Sequence, residues 1–222
     1  MAVATVESRP PDNVPVFPRL SAQMMGMYIF LASEVMFFGT LFGTYFYLFG
    51  SHNPWPPAGT HPVDWFPIPA INTIVLLSSG ATCHVAHLGI QKGNRPRFLV
   101  WMVATIVLGI GFEIGQAYEF IEKLAPSWIG ANGTEAMAFN VNPFATAFFT
   151  MTGFHGLHVL GGLVILCILL WRFQKGQFSA RHHVGIAAGS IYWHFVDLVW
   201  VFLFGILYLW VTFPGIALWY GQ

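Results

Sequence analysis

Five apolar runs, each near or above the roughly 20 residues that a helix needs to cross a bilayer, constrain this chain more than any other feature. They cover about 22–49, 67–91, 98–122, 143–171 and 184–213. No water in the hydrocarbon can satisfy backbone N–H and C=O groups, so a run of this length must be helical. The connections between the runs carry the breakers: Pro54, Pro56, Pro57 and Gly59 in the first, Gly93 and Pro96 in the second. Pro126, Gly130 and Gly133 follow in the third, with Gly176 in the fourth. The expected fold is an all-α integral membrane protein, a bundle of five transmembrane helices over residues 22–213. A polar, proline-punctuated arm over 1–21 precedes it, and a short tail over 214–222 follows. The arm has none of the charged, apolar and cleavage regions of a signal peptide.

The basic residues orient the bundle. Arg9, Arg19, Lys92, Arg95, Arg97, Arg172, Lys175 and Arg181 all fall on one side of a five-span chain, and only Lys123 falls on the other. The positive-inside rule then makes the N-terminus cytoplasmic and the C-terminus external. Charged residues are only 8% of the chain and the formal net charge is zero, which excludes a large soluble domain and gives no footing for nucleic acid. Cys83 and Cys167 lie inside apolar runs without the spacing of a metal or haem-attachment motif, and read as small hydrophobes.

Polar side chains inside the spans are the candidates for function, because each costs free energy in hydrocarbon unless it finds a partner. A rise of about 1.5 Å per residue puts Glu34 roughly 15 Å from the inner surface and His155 and His158 roughly 18–22 Å from the outer one. On the same scale His194 and Asp197 lie roughly 15–20 Å, and Glu113 roughly 22 Å, from the inside. Gln116 and Glu119 form a polar pair nearer the outer interface. His155 and His158 share a helix face, as do His194 and Asp197, among small residues (Gly153, Gly156, Gly161, Gly162) that admit close helix approach. The depths predict one buried polar network of Glu34, Glu113, His155, His158, His194 and Asp197. The apolar surroundings of Glu34 point to His155 or His158 as its hydrogen-bond partner.

Three readings fit that network: a structural seam between helices, a proton-handling relay, or haem or metal ligation. The last is the weakest, because histidines three apart on one helix cannot supply both axial ligands of one iron. His52, His61, His182 and His183 read as solvated or interfacial, and most aromatics as lipid-facing or belt residues, among them Trp55, Trp65, Trp128 and Trp219. No phosphate loop, nucleophile elbow or triad is present. A stand-alone proton transporter and a di-haem electron carrier are the rivals from other functional classes.

Six stretches, in order, resemble subunit III of the haem-copper respiratory oxidases, in its cytochrome c oxidase branch. They are Ser33-Glu-Val-Met-Phe-Phe38, Trp55-Pro-Pro-Ala-Gly-Thr-His-Pro62, Asn72-Thr-Ile-Val-Leu-Leu-Ser-Ser-Gly80 and Gln116-Ala-Tyr-Glu-Phe120. The two most specific are Thr152-Gly-Phe-His-Gly-Leu-His-Val159 and Tyr192-Trp-His-Phe-Val-Asp-Leu-Val-Trp200. The resemblance implies a non-catalytic subunit in a bacterial inner membrane, with no catalytic, metal-binding or cofactor-binding residue of its own. Haem and copper would sit in partner subunits. It implies subunit I as the main partner, contacts with other oxidase subunits and membrane lipids, bound structural phospholipids, and support of proton uptake. Glu34 matches the family's carbodiimide-reactive carboxyl. Three departures stand out: many members have two further spans before these five, leaving a lipid cleft to be filled otherwise; Ala187 stands where a Glu is common; and Glu113 stands where the family usually has an uncharged residue. The five-span length also fits quinol-oxidase forms and a homologue associated with nitric oxide reduction.

Overall fold

The computed structural model describes residues 21–57, 60, 63–124, 139 and 142–212. The expected arm (apart from Ser21), the tail, His61 and most of the third connection, with Trp128, lie outside them. The described residues form five helices long and apolar enough to span a membrane: α1 (Ala22–Ser51), α2 (Ile68–Gln91), α3 (Arg95–Leu124), α4 (Pro143–Gln174) and α5 (Val184–Leu203). The last continues through a π-helical turn, Phe204–Leu209, into a short α segment, Trp210–Thr212. The chain is a multi-pass membrane protein.

Local chemistry sets the helix ends. Ser21 Oγ accepts from the Met24 N–H, and Asn142 Oδ1 accepts from the Ala145 N–H just before Pro143. Asn94 Oδ1 likewise accepts from the Arg97 N–H, so α3 starts at Arg95, ahead of its apolar run. Gly93 and Gly176 hold positive φ where the chain turns between helices, a conformation glycine adopts without steric cost.

Helices α2 to α5 close into a ring in which α2 packs on α3, α3 on α4, α4 on α5 and α5 back on α2. Helix α1 lies outside this ring against α4 and α5. The core belongs to the ring: Trp193, Trp200, Phe112, Phe148 and Leu76 are fully buried. Glycines let the indole of Trp193 into the centre. A Cβ on Gly109 of α3 or Gly162 of α4 would come within 2.9 Å of its ring atoms. Gly89 serves the α2–α3 hairpin the same way, since a Cβ there would meet the Phe98 backbone.

Candidate functional site

Of the two histidines available to Glu34, the structure brings His158 to it. Glu34 Oε2 on α1 lies 2.9 Å from His158 Nε2 on α4. The other ring nitrogen, Nδ1, is 2.6 Å from the Phe154 carbonyl. A carbonyl can only accept, so Nδ1 carries a hydrogen and donates it. A single proton is then held between Nε2 and Oε2, as an imidazolium–carboxylate pair or as a carboxylic acid donating to neutral imidazole. Phe37 and Phe38 pack on the imidazole, with ring centroids 5.9 and 5.0 Å from its own, and Phe154 lies edge-on to Phe37. From α5, the Tyr192 hydroxyl donates to the His158 carbonyl at 3.0 Å, so three helices meet at this residue.

His155, one turn away, faces the ring interior. It is 0% exposed, stacked on Trp200 at 5.0 Å with Phe112 against its edge. Neither of its ring nitrogens has a hydrogen-bond partner among the described residues.

His194 and Asp197 adjoin within α5, but Nδ1 and Oδ2 are 3.7 Å apart, beyond hydrogen-bond length. Asp197 reaches the neighbouring helix by packing its carboxylate directly on Gly80 of α2, where a Cβ would collide with it. Hydrogen-bonded ties between α5 and α2 come instead from two tryptophans of α5. Trp193 Nε1 donates to Ser79 Oγ at 3.0 Å, and Trp200 Nε1 donates to Thr73 Oγ1 at 2.9 Å. Both indoles are fully buried in the ring, away from lipid and interface. A motif signal for them existed, since Trp193 and Trp200 lie within one of the two most specific stretches, but hydropathy shows no sign of their donors.

Gln116 and Glu119 do not form a pair at the outer interface. Both are buried, and Glu119 Oε1 accepts from Lys123 Nζ and, at 3.0 Å, from the Tyr208 hydroxyl. The π-helical turn of α5 carries Tyr208 to this position. Lys123 is itself buried, its ammonium 5.3 Å over the Phe148 ring. Glu113 is half-buried on α3 beside Gly156, with Oε1 unpartnered among the described residues.

The mid-membrane polar residues are therefore distributed over separate local arrangements. Among the described residues no hydrogen bond joins one arrangement to the next. Each side chain is matched to its own helix contact, and depth alone had made them look continuous. Along α2 and α5, His84 faces His194 and His87 faces His183, with ring separations of 6.3 and 6.0 Å. Among the described residues no group of three or more His, Cys, Asp or Glu side chains has the geometry of a metal site.

Residues 20–212 match the family model described as cytochrome c oxidase subunit III. The chain is similar to the cytochrome c oxidase subunit 3 of Thermostichus vulcanus, with 38% identity over 192 residues that cover 86% of this chain and 89% of that one. It is 42% identical over 192 residues to the subunit of the same name from Aedes aegypti, covering 83% of this chain and 68% of that one. The Scyliorhinus canicula protein of that name is 41% identical over 190 residues, with the same two coverages.

Proposed function

The chain belongs to the cytochrome c oxidase subunit III family, and from that premise we propose that it is an accessory, non-catalytic subunit of a proton-pumping haem-copper oxidase that draws electrons from cytochrome c. It binds no haem or copper itself; those groups belong to partner subunits. It docks on subunit I, holds structural phospholipid and supports proton uptake. Its setting is a bacterial inner membrane with the N-terminus cytoplasmic. The similarity to the Thermostichus vulcanus protein supports the bacterial setting, and the eight-to-one split of basic residues supports the orientation.

The observation that carries this reading is the family match across the whole ring and α1. The geometry agrees with it in kind. The carboxyl of Glu34 is held by His158 between an outer helix and the ring, a contact suited to fixing one helix on a bundle and to storing one proton. The remaining mid-membrane histidines pack or pair locally. Purification of the tagged chain from its native membranes in mild detergent tests the reading. The expected result is a stoichiometric haem-containing partner and oxygen-reducing activity. A chain that isolates alone, or that carries haem after separation from its partners, would overturn it.

A further inference from the structure

The outward surface between helices α3 and α4, termed the furrow, holds two separate cavities. The outer one has a volume of about 330 Å³, and Glu113, Gln116, Thr152 and Gly156 are among its lining. The inner one has a volume of about 230 Å³ between Val103, Val107, Cys167 and Trp171. The flanking residues recur at alternating steps of four and three. On α3 they are Val103, Val107, Ile110, Ile114, Ala117 and Ile121; on α4 they are Leu157, Leu160, Val164, Cys167, Trp171 and Gln174. All twelve are exposed. That spacing marks one continuous face along each helix, of a kind that a further helix can pack against. From Val103 to Ile121 the face runs about 27 Å, close to the hydrocarbon thickness of a bilayer.

Lipid chains would fill such a furrow if it were apolar throughout. Instead Glu113 sits midway along it, half-buried, with Oε1 unpartnered among the described residues. A carboxyl without a partner costs several kcal/mol in this medium. The placement of the polar atoms distinguishes the occupants. An amphiphile puts its polar head at the interface, at one end of the furrow. A helix with one polar residue puts it in the middle, with apolar contacts above and below. Gly156 of α4 faces the Glu113 carboxyl, whose oxygens lie within 3.9 Å of where a Cβ would stand.

We propose that the α3–α4 furrow seats a transmembrane helix of another subunit, and that this helix donates a hydrogen bond to Glu113 from a Ser, Thr, His, Lys or Arg side chain. The inference rests on the reading of the chain as one subunit of an assembly, and it names the surface and the contact.

A photo-reactive benzophenone amino acid, placed at Leu157 and separately at Val107 in the intact complex, tests it. Both positions are exposed in the furrow, so neither variant disturbs the core. The expected products are cross-links from both positions to different turns of one transmembrane segment in a co-purifying subunit. Glu113→Leu should lower the yield from Leu157 on the order of threefold, the size of a typical interhelical hydrogen bond in a membrane, and Glu113→Gln should retain it. Lipid adducts alone, in a complex that still carries its haem subunit, would overturn the seat and leave the assembly standing. Equal yields from Glu113→Leu and the parent would overturn the role of Glu113. A chain that purifies without any haem subunit would overturn the assembly reading, and the seat with it.

Discussion

Helix α1 and the α2–α5 ring are equally at home in a bilayer, yet they are held in different ways. The ring interlocks. Glycines on α3 and α4 admit the Trp193 indole, two indole N–H groups bond across to α2, and the Glu119–Lys123–Tyr208 group ties α3 to the end of α5. Helix α1 has Phe38 and Tyr45 as its only buried side chains, and its one described polar tie to the transmembrane ring is Glu34 to His158. In water, an apolar helix is driven onto a core whatever the detail of its surface. In lipid that drive is missing, and association depends on close packing and on specific polar contacts. Helix α1 has little of the first and therefore depends on the second.

That contrast can be broken from either side. The largest effect is expected in the ring: Gly162→Leu forces a side chain into the Trp193 indole and should cost about 3 kcal/mol. Loss of the cooperative unfolding transition in detergent, followed by near-ultraviolet circular dichroism, is the readout; an unshifted transition would show the ring to be loosely packed. Asp197→Ala removes the carboxylate packed on Gly80 and should weaken the α2–α5 contact by about 1 kcal/mol through lost packing. The subunit should then leave its complex at lower detergent concentration, and unchanged retention would count against that contact.

His158→Leu acts on α1 alone. It should raise hydrogen exchange in α1 by about fivefold, the equivalent of about 1 kcal/mol, and leave exchange in α2–α5 as it was. A matching rise in the ring would mean that the two regions form one cooperative unit. The smallest effect is expected from Glu34→Gln, whose amide still donates to the imidazole Nε2. Oxygen consumption should stay near the parent rate, with only a partial fall in protons pumped per electron in reconstituted vesicles. Abolished oxygen reduction in an assembled complex would make the carboxyl an obligatory proton carrier.

The contrast was only partly legible in the sequence. Spans and the depth match of Glu34 with the α4 histidines follow from hydropathy and from helical rise. What depth cannot resolve is direction. His155 and His158 share a broad face, but three residues of helix leave them about 60° apart. That angle is enough to aim His158 at α1 and His155 at Trp200 in the core. The indoles of Trp193 and Trp200 were likewise invisible as ties, because an apolarity scale scores the ring and not the N–H. Lys123 and Glu119 look interfacial when counted along α3. The π-helical turn in α5, which has no marker in the residues Phe204–Leu209, brings Tyr208 to them and closes them in.

The central point is that one polar contact fastens α1 to an otherwise self-sufficient ring, and a double-mutant cycle on Glu34→Ala and His158→Ala measures it most directly. The side chains are 17% and 18% exposed, so the coupling is only partly screened. With hydrogen exchange of α1 in detergent as the readout, the expected coupling is about 1 kcal/mol, with exchange in the α2–α5 core unchanged in all variants. Purely additive effects of the two substitutions would contradict it, and would leave α1 held by its aromatic contacts alone.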